Sequence, residues 1–314
     1  MTISEFARKV LPADVVNSVV RARKRYRRSR VERLPQLSEA DFTNILAEKL
    51  ELAVGDVVYI HSSVDRLNLG FPFYRILPLI QNVIGDSGTV LFPTYPNRSP
   101  VSSHEYLRAG NVFDVRRTPS FTGILTEFGR RHPRAIRSLH PTKSVCAIGP
   151  KAEWLTSTHQ QSPYPYDRPS PYYKLIECEA KIVGIGVWTE YLSFVYCIDD
   201  AMKSNPPVRT YHPEILRGTC INYTGASEIV ETYAHDMQRC VHDIPQFMKR
   251  HVPAEACEDI LVNGMRFFRA GARKLFDVML PLAQQGITVY PRAVYSESFQ
   301  PKKNDQVRGS LSSL

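Results

Sequence analysis

The chain has 314 residues, of which 40 are Lys or Arg and 31 are Asp or Glu, so its formal net charge is +9. Hydrophobic residues make up 43% of the chain and charged residues 23%, which is ordinary for a globular protein and excludes a largely disordered one. No apolar run approaches the length of a membrane span, and the first residues lack the features of a signal peptide, so we expect a cytoplasmic protein.

The excess positive charge lies at the two ends of the chain. Residues 1–37 contain ten basic and three acidic side chains, and residues 301–314 contain three and one, whereas residues 38–300 contain 27 of each kind. We therefore divide the chain into a basic N-terminal extension (1–37), an α/β domain (38–300) and a flexible tail (301–314).

The N-terminal extension carries four valines, at positions 15, 16, 19 and 20, followed by a run of arginines. This pattern predicts a helix that is apolar at its start and cationic at its end. Such a helix suits the anionic inner face of a membrane, RNA, or solvent alone. We regard nucleic acid as the least favoured of these partners and leave the oligomeric state open.

The domain opens with a predicted helix and a β-α-β unit. Ser38 and Asp41 have the three-residue spacing of a helix N-cap. Val57–Ile60 is a short apolar strand, and a helical stretch near 74–84 separates it from a second strand, Thr89–Phe92. A β-α-β connection implies that the two strands are parallel.

Alternating strands and helices continue along the domain. Together they predict an α/β fold with a mixed, mainly parallel sheet flanked by helices on both faces. Further predicted strands are 144–148, 181–185 and 287–290, and further predicted helices are 123–131, 151–155, 171–177 and 263–285.

Two loops carry small hydroxyl side chains at positions where α/β sheets bind ligands. His61, Ser62 and Ser63 follow the first strand directly, and Thr118, Ser120 and Thr122 precede a glycine that opens a predicted helix. Loops at the carboxyl ends of parallel strands bring hydroxyl and N–H donors to a phosphate or an amide. A plain helix N-cap explains the first loop equally well.

The six cysteines are 17 to 32 residues apart and form no CxxC pair. Their spacing fits neither a zinc site nor a disulfide framework, so we predict reduced and mostly buried thiols.

Seven sequence blocks occur in a fixed order between about residues 45 and 210. Through them the chain resembles the aminoglycoside 3-N-acetyltransferases, also called antibiotic N-acetyltransferases. The blocks are Gly55–Ser63, Gly88–Tyr95, Thr118–Gly123, Arg137–Val145, Ala147–Glu153, Pro169–Pro171 and Lys181–Gly186.

The resemblance implies one α/β domain that transfers the acyl group of acetyl-CoA, or of another acyl-CoA, to an amine of a sugar-like acceptor without a metal. It also implies that the two hydroxyl loops contact the CoA. The cofactor-binding residues would then be His61, Ser62, Ser63, Thr118, Ser120 and Thr122.

The sequence departs from the family pattern at the expected catalytic base. After Gly186 the family continues with Asp, Thr and a Leu-His pair, but this chain has Trp188, Tyr191 and Phe194 at the Asp, Thr and His positions. Lys143 likewise replaces the second histidine of an HPTHS motif. Phenylalanine cannot accept a proton, which favours a different acceptor, a relocated base or lost catalysis.

The sequence offers three candidates for a relocated base. His140 lies within a matching block, and His159 lies in a loop on the family's acceptor side. The third is the segment of His235 and Asp236, which could bind the acceptor or deprotonate its amine, with His242 seven residues further on and so on about the same helical face. Structural histidines and a solvated helix face remain the alternatives.

The function favoured by the sequence is CoA-dependent N-acylation of an amino sugar or a nucleotide-linked sugar, in surface-polysaccharide or secondary metabolism. One alternative is a catalytically inactive homologue that binds CoA or a sugar. The other is an aminoglycoside 3-N-acetyltransferase that confers antibiotic resistance.

Overall fold

The computed structural model describes residues 13–236 and 240–291, which are built around one seven-stranded sheet and a smaller three-stranded sheet. The first twelve residues of the predicted extension and the whole predicted tail lie outside the described residues. The strands are β1 (Val57–Ser62), β2 (Thr89–Pro93), β3 (Phe113–Asp114), β4 (Ile136–Arg137), β5 (Val145–Ile148), β6 (Lys181–Ile185), β7 (Leu216–Ile221), β8 (Ser227–Thr232), β9 (Cys257–Val262) and β10 (Met265–Gly271).

The large sheet has the strand order β4-β5-β2-β1-β6-β10-β9. Its centre is parallel, because β1 pairs in parallel with both β2 and β6. The four outer pairings are antiparallel. The small sheet has the order β3-β7-β8. The predicted mixed α/β sheet is therefore confirmed, but it is not mainly parallel as expected, because only two of the six pairings in the large sheet are parallel. In the small sheet β3 and β7 are parallel and β7 and β8 antiparallel.

Helices cover both faces of the large sheet. Each face has its own buried apolar cluster, one containing Val58 and Ile60 and the other containing Val57 and Tyr59. Alternate residues of β1 thus enter different clusters, as the pleat of a strand requires. The helices are α1 (Ala13–Val31), α2 (Glu39–Asn44), α3 (Ile76–Ile84), α4 (Ser103–Arg108), α5 (Ile124–Arg130), α6 (Ala152–Thr156), α7 (Pro171–Glu177), α8 (Tyr196–Ala201), α9 (Ile244–His251) and α10 (Ala272–Gln284).

The predicted start of the domain is confirmed. Ser38 caps α2, since its hydroxyl accepts a hydrogen bond from the Asp41 N–H at 3.1 Å. The Asp41 carboxylate accepts in return from the Ser38 N–H at 3.0 Å. The β-α-β unit is formed by β1, α3 and β2, with the strands parallel.

The helix predicted for residues 263–285 is wrong in its first third. Asn263 and Gly264 have φ angles of +50° and +78° and form the turn between β9 and β10, so α10 begins only at Ala272. An Asn-Gly pair is the preferred two-residue hairpin turn because both residues tolerate positive φ. At Gly264 a Cβ would also lie 2.7 Å from Leu34 Cδ2.

The strand predicted for residues 287–290 is also wrong. Its backbone pairs with no strand, although the Val289 carbonyl accepts a hydrogen bond from the Asp243 N–H at 2.8 Å. Val289 and Tyr290 are buried against the apolar cluster that contains Tyr59. Their hydrophobic character therefore reflects packing onto helices and not a position in the sheet.

The basic extension forms the predicted helix, α1, and the segment after it is fixed to the domain. Leu37 is fully buried, and its N–H donates to the Asn68 carbonyl at 2.8 Å. Arg27 lies 4.0 Å from Asp65, just beyond the end of β1. By contrast Val15, Val19 and Tyr26, which share one face of the helix, are exposed.

All six cysteines lie within the described residues and form no disulfide there, and each is buried except Cys178, which is half-buried, so the prediction of mostly buried thiols is confirmed. Across residues 13–236 and 240–291, no helix combines the length and the apolar character that crossing a membrane requires.

Candidate functional site

The central strands β2, β1 and β6 end at the same edge of the sheet, and the segments that follow them lie close together there. The Ser63 N–H, just after β1, donates to the Ile185 carbonyl of β6 at 2.9 Å. Gly186 follows β6 with a φ of +74°, and a Cβ there would lie 2.4 Å from the Ser63 carbonyl oxygen. Glycine is therefore required for the two loops to approach each other.

His61 and Ser62 face opposite sides of the sheet at this edge. The His61 ring packs at 4.8 Å between centroids against Tyr59, on the side of one apolar cluster. Ser62 continues the face of Ile60, on the side of the other cluster. Each has a buried polar atom, Nε2 or Oγ, without a hydrogen-bond partner in the described part of the chain. The loop of His61, Ser62 and Ser63 was predicted as a single binding element, but its side chains lie on both faces of the sheet.

Hydroxyl groups gather on the Ser62 side. Ser120 Oγ lies 2.8 Å from Thr122 Oγ1 and 3.4 Å from Thr126 Oγ1, and Thr122 Oγ1 donates to the Pro93 carbonyl at 2.5 Å. We call Ser62, Ser120, Thr122 and Thr126 the hydroxyl cluster.

Two of the remaining predicted cofactor residues are occupied locally. Thr118 Oγ1 accepts a hydrogen bond from the Asp114 N–H at 2.7 Å and so shapes its own turn. Ser63 Oγ donates to Asp65 at 2.6 Å. Their side chains hold the loops that carry the hydroxyl cluster instead of joining it.

Glu127 fixes the loop that carries Ser120. Its carboxylate accepts the Ser120 N–H at 2.8 Å and the guanidinium groups of Arg130 and Arg131 at 2.7 Å. Burial by itself raises the pKa of Glu127, but the Arg130, Ser120 and Arg131 hydrogen bonds outweigh it and lower this pKa to about 2.

Arg137 ties the strand ends together, a role that the sequence analysis missed. The guanidinium donates to the Thr94 and Thr118 carbonyls, both at 2.5 Å, and lies 4.6 Å from the Phe113 ring centroid. Burial lowers the pKa of Arg137 to about 10. The sequence signal for this role was that Arg137 lies within a block shared with the family. Without such a block, sequence alone does not distinguish a buried arginine from an exposed one.

His140 is fully buried, and both of its ring nitrogens have partners. Nδ1 accepts from the N–H groups of Thr142 at 3.2 Å and Lys143 at 3.0 Å, so Nε2 carries the proton and faces Thr232 Oγ1 at 3.2 Å. Burial holds the pKa of His140 well below its ordinary value. The ring is neutral and fixes the turn between β4 and β5.

His159 stacks on His140 with 4.4 Å between ring centroids and is held just as completely. Nε2 donates to the Pro165 carbonyl at 2.9 Å, so Nδ1 accepts from Ser138 Oγ at 2.8 Å. Burial lowers the pKa of His159 to about 3. This geometry favours the structural alternative for both histidines over the predicted catalytic role.

Four tyrosines gather on the His61 side of the edge, and we call Tyr59, Tyr95, Tyr166 and Tyr172 the tyrosine cluster. The Tyr95 hydroxyl lies 2.8 Å from that of Tyr172 and 3.3 Å from Ser193 Oγ, and the Tyr59 hydroxyl lies 3.4 Å from the same Ser193 oxygen.

Lys143 borders the tyrosine cluster. Its carbonyl accepts a hydrogen bond from the Tyr172 hydroxyl at 3.0 Å, and its ammonium group lies 4.8 Å from the Tyr95 ring centroid. The side chain is half-buried, and burial lowers the pKa of Lys143 to about 8.

His235 joins the same region from an isolated β-bridge with Tyr211, not from a helix as predicted. Its Nε2 lies 3.6 Å from Asp199 Oδ2, beyond hydrogen-bond distance, and its ring packs between Tyr196 and Tyr211. Burial is the main cause that lowers the pKa of His235, and Asp199 opposes it. Asp236 turns away, with its carboxylate 4.0 Å from His212.

Trp188, Tyr191 and Phe194 are buried to different extents, and Tyr191 is 47% exposed. Phe194 is fully buried in the apolar cluster that contains Tyr59. Arg266 lies 4.0 Å above the Trp188 ring, and the Tyr191 hydroxyl accepts from Arg66 at 2.8 Å. Within the described ranges, no group of three or more His, Cys, Asp or Glu side chains is arranged to hold a metal.

Comparison with known proteins places the chain beside one family. The family model described as Aminoglycoside 3-N-acetyltransferase matches residues 60–282. Aminoglycoside N(3)-acetyltransferase III of Acinetobacter baumannii is 28% identical over 151 residues, which are 44% of this chain and 52% of that protein. The chain thus aligns with about half the length of such curated relatives.

Solved structures show the same fold. Aminoglycoside acetyltransferase AAC(3)-Xa superposes with a TM-score of 0.67 at 18% identity, over 86% of this chain and 99% of that one. AAC-IIIb, in a binary structure with CoASH, superposes with a TM-score of 0.62 at 20% identity, over 78% of this chain and 96% of that one.

Proposed function

The chain belongs to the aminoglycoside 3-N-acetyltransferase family, and from that premise we propose that it transfers the acyl group of acetyl-CoA, or of a related acyl-CoA, to the amine of an amino sugar. The reaction forms an N–C bond at the thioester carbonyl, breaks the C–S bond and moves one proton from the amine to the thiolate. A metal is not required, because the thioester is already activated.

The observation that carries the proposal is the division of the sheet edge into two sides. The hydroxyl cluster offers Ser62 Oγ, a buried hydroxyl without a partner, as a donor to an amide or a carbonyl of the CoA arm. The tyrosine cluster, Lys143 and His235 lie on the other side, where the acceptor would enter. A thioester lying at the edge would be within reach of both.

We assign the removal of the amine proton to His235. Its Nε2 has no hydrogen-bond partner in the described structure, and Asp199 lies close enough to stabilise the charged ring. His61 Nε2 also lacks a hydrogen-bond partner among the described residues, but burial is the one cause that lowers the pKa of His61, with no described carboxylate opposing it. The predicted catalytic roles of His140 and His159 remain predictions, and their saturated nitrogens argue against them.

Phe194 motivates the competing proposal of an inactive CoA-binding homologue. The family's usual histidine position carries this buried ring, which can neither accept a proton nor orient an amine. The two proposals differ in turnover, since the inactive homologue would bind CoA without releasing thiol.

Thiol release from acetyl-CoA, measured with nucleotide-linked amino sugars and with an aminoglycoside panel, tests the activity. We expect turnover with at least one amine, and a Ser62→Ala, Ser120→Ala variant should raise the KM for acetyl-CoA about tenfold, because two hydroxyls are lost. Ser157→Ala, a change of an exposed serine that belongs to neither cluster, is the control. CoA binding without any turnover would favour the inactive homologue.

We also propose that α1 attaches the protein to the inner face of a membrane, as a peripheral contact. Val15, Val19 and Tyr26 form an exposed apolar stripe beside several arginines, which suits the interface of an anionic bilayer. A place in surface-polysaccharide metabolism would agree with that location.

A further inference from the structure

We propose that Lys143 binds an anionic group of the acceptor, so that the substrate is an amino sugar carrying a phosphate or a carboxylate and not a polycationic aminoglycoside. This inference rests on the proposed N-acyl transfer and names the class of acceptor for that site. Three features of Lys143 support this inference: its partners, the face of the sheet on which it lies, and the polar atoms near it.

The ammonium group of Lys143 has no carboxylate partner and no hydrogen-bond acceptor among the described residues; its neighbour is the Tyr95 ring. The half-buried Lys181 is paired, since it lies 2.8 Å from an aspartate, and the buried Lys174 donates to the Trp154 carbonyl at 2.5 Å and to Thr158 Oγ1 at 2.7 Å. A half-buried cation loses hydration that its surroundings must replace. An anionic ligand would supply the missing partner.

Lys143 lies on the acceptor side of the edge. Tyr95 and Tyr172, which contact it, belong to the tyrosine cluster on the face of His61. The hydroxyl cluster assigned to CoA lies on the face of Ser62. An anion at Lys143 therefore belongs to the acceptor and not to the phosphates of CoA.

Two further buried polar atoms in this region lack partners within the described structure, the Tyr166 hydroxyl and His235 Nε2. Burial is the main cause that lowers the pKa of His235, and the positive charge of Lys143 adds to it, so the two side chains lie within electrostatic reach. A ligand with an amine at His235 and an anionic group at Lys143 would satisfy both ends.

The same charge disfavours a polycationic acceptor. An aminoglycoside carries several ammonium groups, and a fixed cation that is only partly hydrated repels them more strongly than it would in water. Discrimination of this kind needs one repulsive group at the binding site as well as one attractive group. Lys143 performs both functions.

The test compares Lys143→Met and Lys143→Arg with the exposed control Lys249→Met. Acceptors are a uridine-diphosphate-linked amino sugar, an amino sugar acid with a carboxylate, and a neutral-ring amino sugar without an anionic group. Thiol release gives kcat and KM for each acceptor and for acetyl-CoA, and calorimetry gives binding of the nucleotide-linked sugar without turnover.

We expect Lys143→Met to raise the KM for one of the anionic acceptors about tenfold to a hundredfold, the range of a charged hydrogen bond, with arginine recovering most of the loss. The neutral acceptor and acetyl-CoA should keep their KM values, and Lys249→Met should change nothing. The acceptor that responds identifies a phosphate or a carboxylate as the anion.

An equal loss with the neutral acceptor would overturn the inference, as would a higher KM for acetyl-CoA alone, which would assign Lys143 to a CoA phosphate. If the wild-type protein turns over no amine, the proposed function fails, but the calorimetric comparison still decides the inference. The calorimetric comparison also includes the amino sugar acid, and binding of both anionic acceptors that is equal in wild type and Lys143→Met would overturn the inference independently of activity.

Discussion

A histidine can take a proton from a substrate only if a ring nitrogen is left without another partner. His140 and His159 lie in segments where the family resemblance directs attention, yet hydrogen bonds occupy both nitrogens of each ring. His235 has a free Nε2 beside Asp199. Residue type and position therefore produced the candidates, but only the hydrogen-bond partners separate them.

Replacing His235 by Gln tests its role at the residue scale. We expect kcat/KM to fall at least a hundredfold, the usual contribution of a general base. Burial lowers the pKa of His235 below its ordinary value, so the wild-type rate should stay level near neutral pH and fall only as acid protonates the ring. That acidic decline should be absent from the pH profile of the variant.

His140→Asn and His159→Asn are the controls for this prediction. Each removes hydrogen bonds that hold a buried turn, so each should lower the melting temperature while leaving the shape of the pH–rate profile unchanged. A folded His140→Asn protein that lost activity as strongly as His235→Gln would move the base to His140.

Among the secondary-structure elements, the sequence predicted correctly those whose signals lie in residues close together along the chain. The Ser38 capping box and the β-α-β unit are as predicted because both depend on residues close in sequence. The hairpin of β9 and β10 was missed although Asn263-Gly264 is its signal. Apolar residues on both sides of that turn imitated a helical period, and cross-strand pairing with β6 decided the outcome.

The helix α1 carries a prediction of its own. Removing residues 1–31 leaves the buried Leu37 and its hydrogen bond to the Asn68 carbonyl in place. The truncated protein should no longer sediment with vesicles containing anionic phosphatidylserine. Each basic residue near such a surface contributes about 1 kcal/mol, so binding should also weaken as salt rises. Thiol release by the truncated protein should be unchanged.

Two comparisons complete this experiment. Vesicles of neutral phosphatidylcholine should not bind the full chain, and Val15→Ser, Val19→Ser should weaken binding to anionic vesicles by removing the apolar stripe. Full binding by the truncated protein would contradict the role of α1.

At the scale of the whole molecule, stability depends on buried neutral histidines near the candidate site, among them His61, His140 and His159. Burial lowers the pKa values of His61 and His159 to about 3 and that of His140 well below its ordinary value. The unfolded chain binds protons at these rings near pH 6.5, whereas the folded chain does not. Acid therefore favours unfolding, and the stability present above pH 6.5 is lost as the pH falls toward 3.

We predict that the free energy of unfolding, measured with denaturant, falls by as much as about 1.4 kcal/mol per pH unit for each of these histidines below pH 6.5. His159→Gln should lower the slope by as much as about 1.4 kcal/mol per pH unit, because one of these groups no longer titrates. An unaltered slope in His159→Gln would show that His159 is protonated in the folded state.

The sequence by itself determined the fold class and four of the ten described strands, β1, β2, β5 and β6, because hydrophobic period, caps and family blocks are local or ordered along the chain. The short strands β3 and β4 and the hairpin strands β7 to β10 were not predicted. Only the tertiary structure decided which residues meet. The sheet pleat separates His61 from Ser62. Hydrogen bonds occupy both ring nitrogens of His140 and of His159, whereas His235 Nε2 has no hydrogen-bond partner among the described residues.

The net charge illustrates the same division. Counting residues assigned the whole excess to the ends of the chain and so away from any site. In the folded chain, part of this positive charge lies near the candidate site, since Arg27 of α1 is 4.0 Å from Asp65, two residues beyond Ser63. Charge is a sum over the sequence, but its effect depends on distance and burial, and those are set by packing between segments that are far apart along the chain.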